Sequence, residues 1–539
     1  MPLSSKPSQT RPQSGSTSPW FQWLLPSIAD LLFLVILFAL TCGALSPRLL
    51  GDAGIGWHIR NGQQMLQTHA MTRTDSFSST MNGRPWYAWE WLYDGLIAVI
   101  HGRLGLNGVV FFSALVIAAT FAVVLRLTLR RGASLPVGFI LLLLSIGACS
   151  IHFLARPHLL SWLFAVVWFQ IVDSSASAPS LEKRRRLYWL PALMLVWVNV
   201  HGGFVFGIVL LVLYMAGGWI EYFTSGEADE RERIGDLHKQ LGIVTGLSLL
   251  ATFVNPYGYK LHQHIYEYLT NRFLMDHIDE FLSPNFHGVA QQCFEALLLI
   301  TIVALATSFR KVTTPQLLVI LFAVSSGMYA SRNLPISSLL LVLVTAPLIS
   351  ETISETGSRQ DIAPGLRGLF SHLQSFGVRM QKMECNFRGD LWPALGVMFV
   401  LWICWHGGTL GSRQVMDAHF DATRFPVQAA DVVSDRNIAG PIFCPDTWGG
   451  YLIYRLYPQT KVVVDDRHDL YGDQFFKNYL KVIQVQPDWD KVLDEEHVTW
   501  VLIPAKSSLG VLLKQTSRWE IIHQDDTAVL FARVGVANP

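Results

Sequence analysis

Apolar residues fall in long blocks along the chain, separated by short connections that hold most of its charge. The blocks cover approximately residues 24–46, 108–127, 136–154, 158–174, 188–200, 203–222, 241–254, 291–308, 314–330, 334–349 and 392–408. A helix needs roughly 20 apolar residues to cross a hydrocarbon core, so the pattern predicts an α-helical polytopic membrane protein with about eleven transmembrane helices. The stretch "WEWLYDGLIAVIHGRLG" is shorter and interrupted by charge, and is expected to lie as a helix along the interface.

Residues 409–539 change character. "GPIFCPDTWGGYLIYRL", "TKVVVDDRHDLYG", "VTWVLIPA" and "WEIIHQDDTAVLFARV" read as short β-branched strands separated by helical stretches, the last with a hairpin signal at "QDDT". Strands alternating with helices predict a compact C-terminal α/β domain. The organisation is then a disordered tail (1–23), a transmembrane domain (24–408) with a long first loop (47–107), and the C-terminal domain (409–539). The first apolar block is long for a signal peptide and lacks a small-residue cleavage site, which suits a retained anchor.

Charge then sets the orientation. With the N-terminus inside, interior connections carry about twice as many Lys and Arg as exterior ones, the bias of the positive-inside rule. Interior segments include Arg126, Arg130 and Arg131, "EKRRR", "RERIGDLHK", Arg310 with Lys311, and the connection 350–391. In that connection Leu366, Phe370, Leu373, Phe376, Met380 and Met383 recur at helical spacing beside Arg367, Arg379 and Lys382, predicting an amphipathic helix on the inner leaflet. The C-terminal domain falls outside.

Composition agrees and removes alternatives. Hydrophobic residues make up 51% and charged residues 15%, against roughly a quarter charged in soluble domains. A net charge of +1 without a basic stripe argues against nucleic acid as a partner. The six cysteines lie mostly in or near apolar blocks without paired spacing, so neither a disulfide framework nor a zinc site is indicated.

This orientation gathers the conspicuous polar clusters on the exterior face. "GDAGIGWHIRNG" places Asp52, Trp57, His58 and Arg60 just past the first block. Asp52 reads either as a helix cap or as a general base at a cavity rim. "RPWYAWEWLYDG" sets Glu90 among aromatics, with Asp94 one helical turn later; such a carboxylate can have a raised pKa and serve as acid or base. Trp57 and these aromatics suit an interfacial belt. "ARPH" supplies Arg156 and His158, "NVHGG" Asn199 and His201, and "SRN" Arg332 and Asn333. Arginines and histidines facing a carboxylate loop resemble a site for an anionic substrate, since the guanidinium fork binds two phosphate oxygens at once. Asp465, Asp466 and Asp469 follow a predicted strand and read as a structural loop or partner surface, with no complete metal-ligand set.

The ordered set "GDAGIGWHIRNG", "RPWYAWEWL", "ARPHLLSW", "NVHGGFVFG", "NPYG", "SRNLPI", "WGGYLIYRLYP" and "VVVDDRHDLYG" resembles a broad family of bacterial integral-membrane proteins regarded as glycosyltransferase-like, of GT-C architecture. The resemblance runs from about residue 24 to 535. It implies an enzyme of the bacterial inner membrane that takes a polyprenyl-phosphate-linked sugar and works at the outer face. The acceptor would be a glycan, lipid or protein. Asp52 matches the acidic position after the first span, with 55–69 and 86–104 as interfacial helices. Arg156 or Arg332 would stabilise the departing lipid phosphate. Protein mannosyltransferases and aminoarabinose transferases of this architecture carry an adjacent acidic pair, whereas Ala53 follows Asp52 here. The resemblance thus fixes no cofactor, with a divalent metal left open. The rival reading is a non-catalytic or transport component of a cell-envelope polysaccharide or lipid pathway. Transport would spread polar groups through the membrane depth, whereas here they concentrate at one face.

Overall fold

The computed structural model describes residues 24–43, 45–178, 183–309, 312–386 and 391–535. The expected tail 1–23 and the Arg310–Lys311 pair lie outside the described residues, as do the side chains of Lys183, Lys382 and Met383.

Each apolar block coincides with a helix, because a backbone in lipid must satisfy its own hydrogen bonds. In chain order the principal helices are α1 (Ile28–Thr41), α2 (Gly54–Thr68), α3 (Trp91–Arg130), α4 (Leu135–Cys149), α5 (His158–Ala176), α6 (Leu190–Trp197) and α7 (Phe204–Thr224). They continue with α8 (Ala228–Thr252), α9 (Tyr259–Thr270), α10 (Val289–Thr307), α11 (Thr314–Tyr329), α12 (Leu334–Ser358), α13 (Pro364–Asn386) and α14 (Leu391–Trp405). Six described helices are long and apolar enough to cross a membrane, those built on α3, α4, α5, α7, α10 and α12; α1, α11 and α14 are apolar but shorter. The other two predicted spans differ for local reasons. Block 188–200 gives only the eight residues of α6, because Lys183–Trp189 forms a tighter helical turn before it. Block 241–254 is the second half of α8, whose first half is charged.

The stretch 89–105, expected at the interface, leads into and forms the first arm of α3. Gly105 (φ 60°, ψ −157°) separates it from the span that follows, a backbone state suited to glycine. At the other end of the bundle, α13 presents Leu366, Leu369, Leu373 and Phe376 outward. Its Glu384 accepts the Ile28 N–H at 2.7 Å, supplementing the Ser27–Asp30 capping box of α1.

The C-terminal region carries a two-residue hairpin, β1 (Thr409–Leu410) and β2 (Arg413–Gln414), and a four-stranded sheet. The sheet order is β3 (Ile442–Phe443), β4 (Trp500–Pro504), β6 (Ala528–Arg533), β5 (Trp519–Gln524). β3 and β4 are parallel, and the β5–β6 hairpin is antiparallel. "DTWGGYL" opens helix α15 (Asp446–Leu456), and "HDLYG" opens α16 (His468–Ile483). "KVVV" is not a full strand: Val462 makes isolated bridges to both Ser78 and Ile442, so the first loop continues the sheet edge. Ser79 and Thr80 donate to the carbonyls of Val462 (2.8 Å) and Val463 (2.7 Å). One hydrophobic core runs from α1 through α2 into the sheet.

Candidate functional site

Glycines bring the first loop onto the C-terminal region. A Cβ on Gly56 would run into the Gly450 carbonyl, and one on Gly450 into that of Ala53, so α2 and α15 meet backbone to backbone. A Cβ on Gly449 would stand 2.5 Å from the Asp465 Cα. Beside this contact Arg467, almost fully buried, meets Asp75 (2.8 Å) and Asp465 (2.8 and 2.6 Å) and lies over Trp86, 4.4 Å from its ring centre. Asp75 also accepts from Ser78, and Tyr471 donates to Asp465. Buried ions of this kind persist only when paired and hydrogen-bonded.

The clamp fixes the next residue, Asp466, opposite Asp52. Arg156 joins them: its Nε donates to Asp52 at 2.8 Å, and its Nη2 bridges Asp52 and Asp466. Asp52 also accepts the Gly54 N–H at 2.7 Å, and Trp57 donates its indole N–H to Asp466 at 3.0 Å. Burial pushes the Asp466 carboxyl up to about 6, with Arg156 acting against that rise. Burial works against the Arg156 charge, but Asp52 and Asp466 outweigh it and hold its proton more tightly than usual. The three residues line a cavity of about 540 Å³, with Arg48, Arg424 and Trp448 also on its wall.

Trp57 stacks on His58 (ring centres 3.6 Å apart), which leads to a second, buried cluster. His58 Nδ1 lies 2.5 Å from Asp94, and its Nε2 lies 3.6 Å from Glu90. Asn61 donates to the other Asp94 oxygen at 2.6 Å. His201 Nδ1 accepts the Gly203 N–H (3.0 Å), which leaves the proton on Nε2, 3.7 Å from Glu90. Burial raises Glu90 to about 7, partly offset by His58; it lowers both His58 and His201 to about 3. The cluster sets two carboxyls, Glu90 and Asp94, against two imidazoles, and burial favours the neutral forms of Glu90, His58 and His201.

The other predicted residues have different surroundings. Arg60 donates through Nε to the Tyr454 main-chain oxygen at 2.9 Å and fastens α2 to α15. Asn199 donates to the carbonyls of Leu195 and Val254 (both 2.9 Å) and accepts from Trp91 (2.8 Å), which uses its amide fully in joining three segments. His158 Nε2 donates to the His152 carbonyl at 2.9 Å. Arg332 pairs with Glu280 at 3.4 Å and covers the Phe281 ring; Glu280 falls to about 2, because Arg332 and Arg156 outweigh its burial. Asn333 donates to the Ser326 carbonyl at 3.2 Å. Sequence reasoning passed over Asp466, Arg48 and Arg424 as site residues. For Asp466 the available signal was its place in "VVVDDRHDLYG".

A divalent metal fits this donor set poorly. Asp52 and Asp466 already share a guanidinium, and no group of three His, Cys, Asp or Glu among the described residues is arranged to hold an ion.

No family profile and no curated protein matches the sequence. Among solved structures, the Archaeoglobus fulgidus oligosaccharyltransferase in the apo form superposes with a TM-score of 0.56 at 9% identity, over 95% of this chain and 74% of that one. The same archaeal enzyme, tethered through a disulfide bond to an acceptor peptide containing the NVT sequon, gives a TM-score of 0.52 at 9% identity, over 94% and 73%. At that identity the likeness is one of fold: the chain is a polytopic helical membrane protein of GT-C-like architecture, completed by a C-terminal α/β domain.

Proposed function

We propose that the protein is a membrane glycosyltransferase that moves a sugar from a polyprenyl-phosphate-linked donor to an acceptor at the Asp52 cavity. The observation that carries this reading is the placement of Asp52 and three arginines on one cavity wall. In the proposed orientation this wall faces outward from the bacterial inner membrane. Asp52 would take the proton of the acceptor's attacking group as that group bonds to the anomeric carbon. In the same step the sugar–oxygen bond breaks, and its electron pair leaves with the lipid phosphate. Both carboxylates sit on the Nε/Nη2 edge of Arg156, which leaves Nη1 for a phosphate oxygen, with Arg48 and Arg424 beside it and Arg332 as the outlying candidate. Planar, permanently charged donors suit a leaving group whose negative charge grows during the reaction. The archaeal neighbour's acceptor peptide makes a polypeptide one acceptor class to test, beside glycan and lipid.

The Gly54 N–H bond to Asp52 favours a second reading, in which Asp52 is a cap in a non-catalytic or transport component of an envelope pathway. Asp52→Asn separates the two, because it retains a capping oxygen and loses the base. A positioned base contributes about 10²–10⁴-fold to rate. The proposal expects the substitution to remove the glycan product while expression is kept. A glycan profile unchanged by Asp52→Asn but altered by gene deletion would overturn it.

A further inference from the structure

Asp52 and Asp466 come from opposite ends of the chain, yet they converge on one cation. Two carboxylates turned towards each other repel, and each disfavours ionisation of the other unless a positive charge lies between them. Arg156 fills that position, donating to Asp52 through Nε and Nη2 and to Asp466 through Nη2. The packing is made for this guanidinium: a Cβ on Gly54 would collide with Arg156 Nη2 and stand 2.6 Å from Asp466 Oδ2. Hard divalent cations require oxygen ligands at about 2.0–2.6 Å around a clear centre, and here that centre is a side chain which does not lose its proton in proteins. Asp466 is itself held on two sides, by the Trp57 indole and by the neighbouring Asp465–Arg467–Asp75 clamp.

We infer that the reaction centre is split between the two domains, with Asp466 as its second carboxylate and the Arg156 guanidinium standing where a divalent cation would otherwise join the pair. The inference rests on the sugar-transfer reading of the cavity. In it Asp466 is a positioning residue, which holds Arg156 so that its Nη1 edge meets the donor phosphate.

Two measurements test it. Purified full-length protein in detergent is titrated with Mn²⁺ and followed by electron paramagnetic resonance; the wild type should leave the free-ion signal undiminished. Product formation in membranes from the native host should persist in EDTA. A stoichiometric Mn²⁺ site that disappears in Asp52→Asn or Asp466→Asn would overturn the inference, as would product lost in EDTA and restored by Mn²⁺. In the second measurement, Asp466→Asn should lower product about tenfold or more, and Asp466→Glu should recover part of it. Wild-type product from Asp466→Asn would remove Asp466 from the centre. Failure of the sugar-transfer reading shows separately, as wild-type product from Asp52→Asn.

Discussion

Gly56 of α2 and Gly450 of α15 press their backbones together so closely that neither has room for a methyl group. This contact sets the depth at which the C-terminal region sits on the first loop, and so where Asp466 meets Arg156. Overpacking a tight contact costs about 1–3 kcal/mol. Gly450→Ala should lower the unfolding temperature of the purified protein and reduce product. Gly102→Ala is the control: its Cβ would meet nothing within 4 Å, and a helical Gly→Ala change is stabilising by roughly 0.5–1 kcal/mol. Equal thermal curves for Gly450→Ala and wild type would contradict the close packing.

Arg156→Lys keeps the charge but offers a point donor in place of a fork. It should fail to hold Asp52, Asp466 and a phosphate together, and product should fall by about 10–100-fold, equivalent to about 1.4–2.7 kcal/mol. Glycan profiling of membranes checks this. Full retention of product would show that only the charge matters.

Glu90 gives a pH signature. Its folded pKa of about 7 lies above the ordinary 4.5, so the folded state binds the proton more tightly than the unfolded one. Its contribution is favourable below pH 4.5 and falls as pH rises through 7, opposite in slope to the buried His58 and His201, whose lowered pKa values make their contributions rise between about 3 and 6.5. Glu90→Gln should remove that fall, and its advantage in unfolding temperature over wild type should grow from pH 5 to pH 8. A constant difference across that range would contradict the burial of an ionisable Glu90.

The outward stripe of α13 calls for a surface. A peptide spanning 363–386 should be largely unfolded in buffer and become helical on anionic vesicles, as circular dichroism would show. Unchanged spectra would leave α13 dependent on its contacts with the bundle.

Orientation is open to thiol labelling of single introduced cysteines in intact cells. A cysteine at 474 should react with an impermeant reagent and one at 185 should not, both being exposed positions. The reverse pattern would turn the cavity to the cytoplasm and remove the proposed donor geometry.

The apolar blocks were legible because lipid imposes a length and a hydropathy that each helix must meet separately. The interruption of the interfacial arm was also visible, as charge before Gly105. What periodicity does not carry is pairing across long separations. Asp466 stands 310 positions from Arg156, and its own neighbours gave it the look of a loop residue. Arg60 and Asn199 drew notice by residue type, yet type alone does not reveal that main-chain carbonyls lie opposite them. "VVV" predicted a strand from its β-branching, but its partners are single residues of β3 and of the first loop.

The Arg467 clamp bears on the order in which the protein can be completed during synthesis. Asp75 is almost fully buried in the finished molecule, but its cation, Arg467, leaves the ribosome after every described membrane helix. Until then the first loop must keep that carboxylate in water. The Asp75–Arg467 pair joins distant parts of the sequence, and long-range contacts of this kind slow folding. A ribosome stalled before residue 467 would hold a chain whose first loop is still accessible to protease.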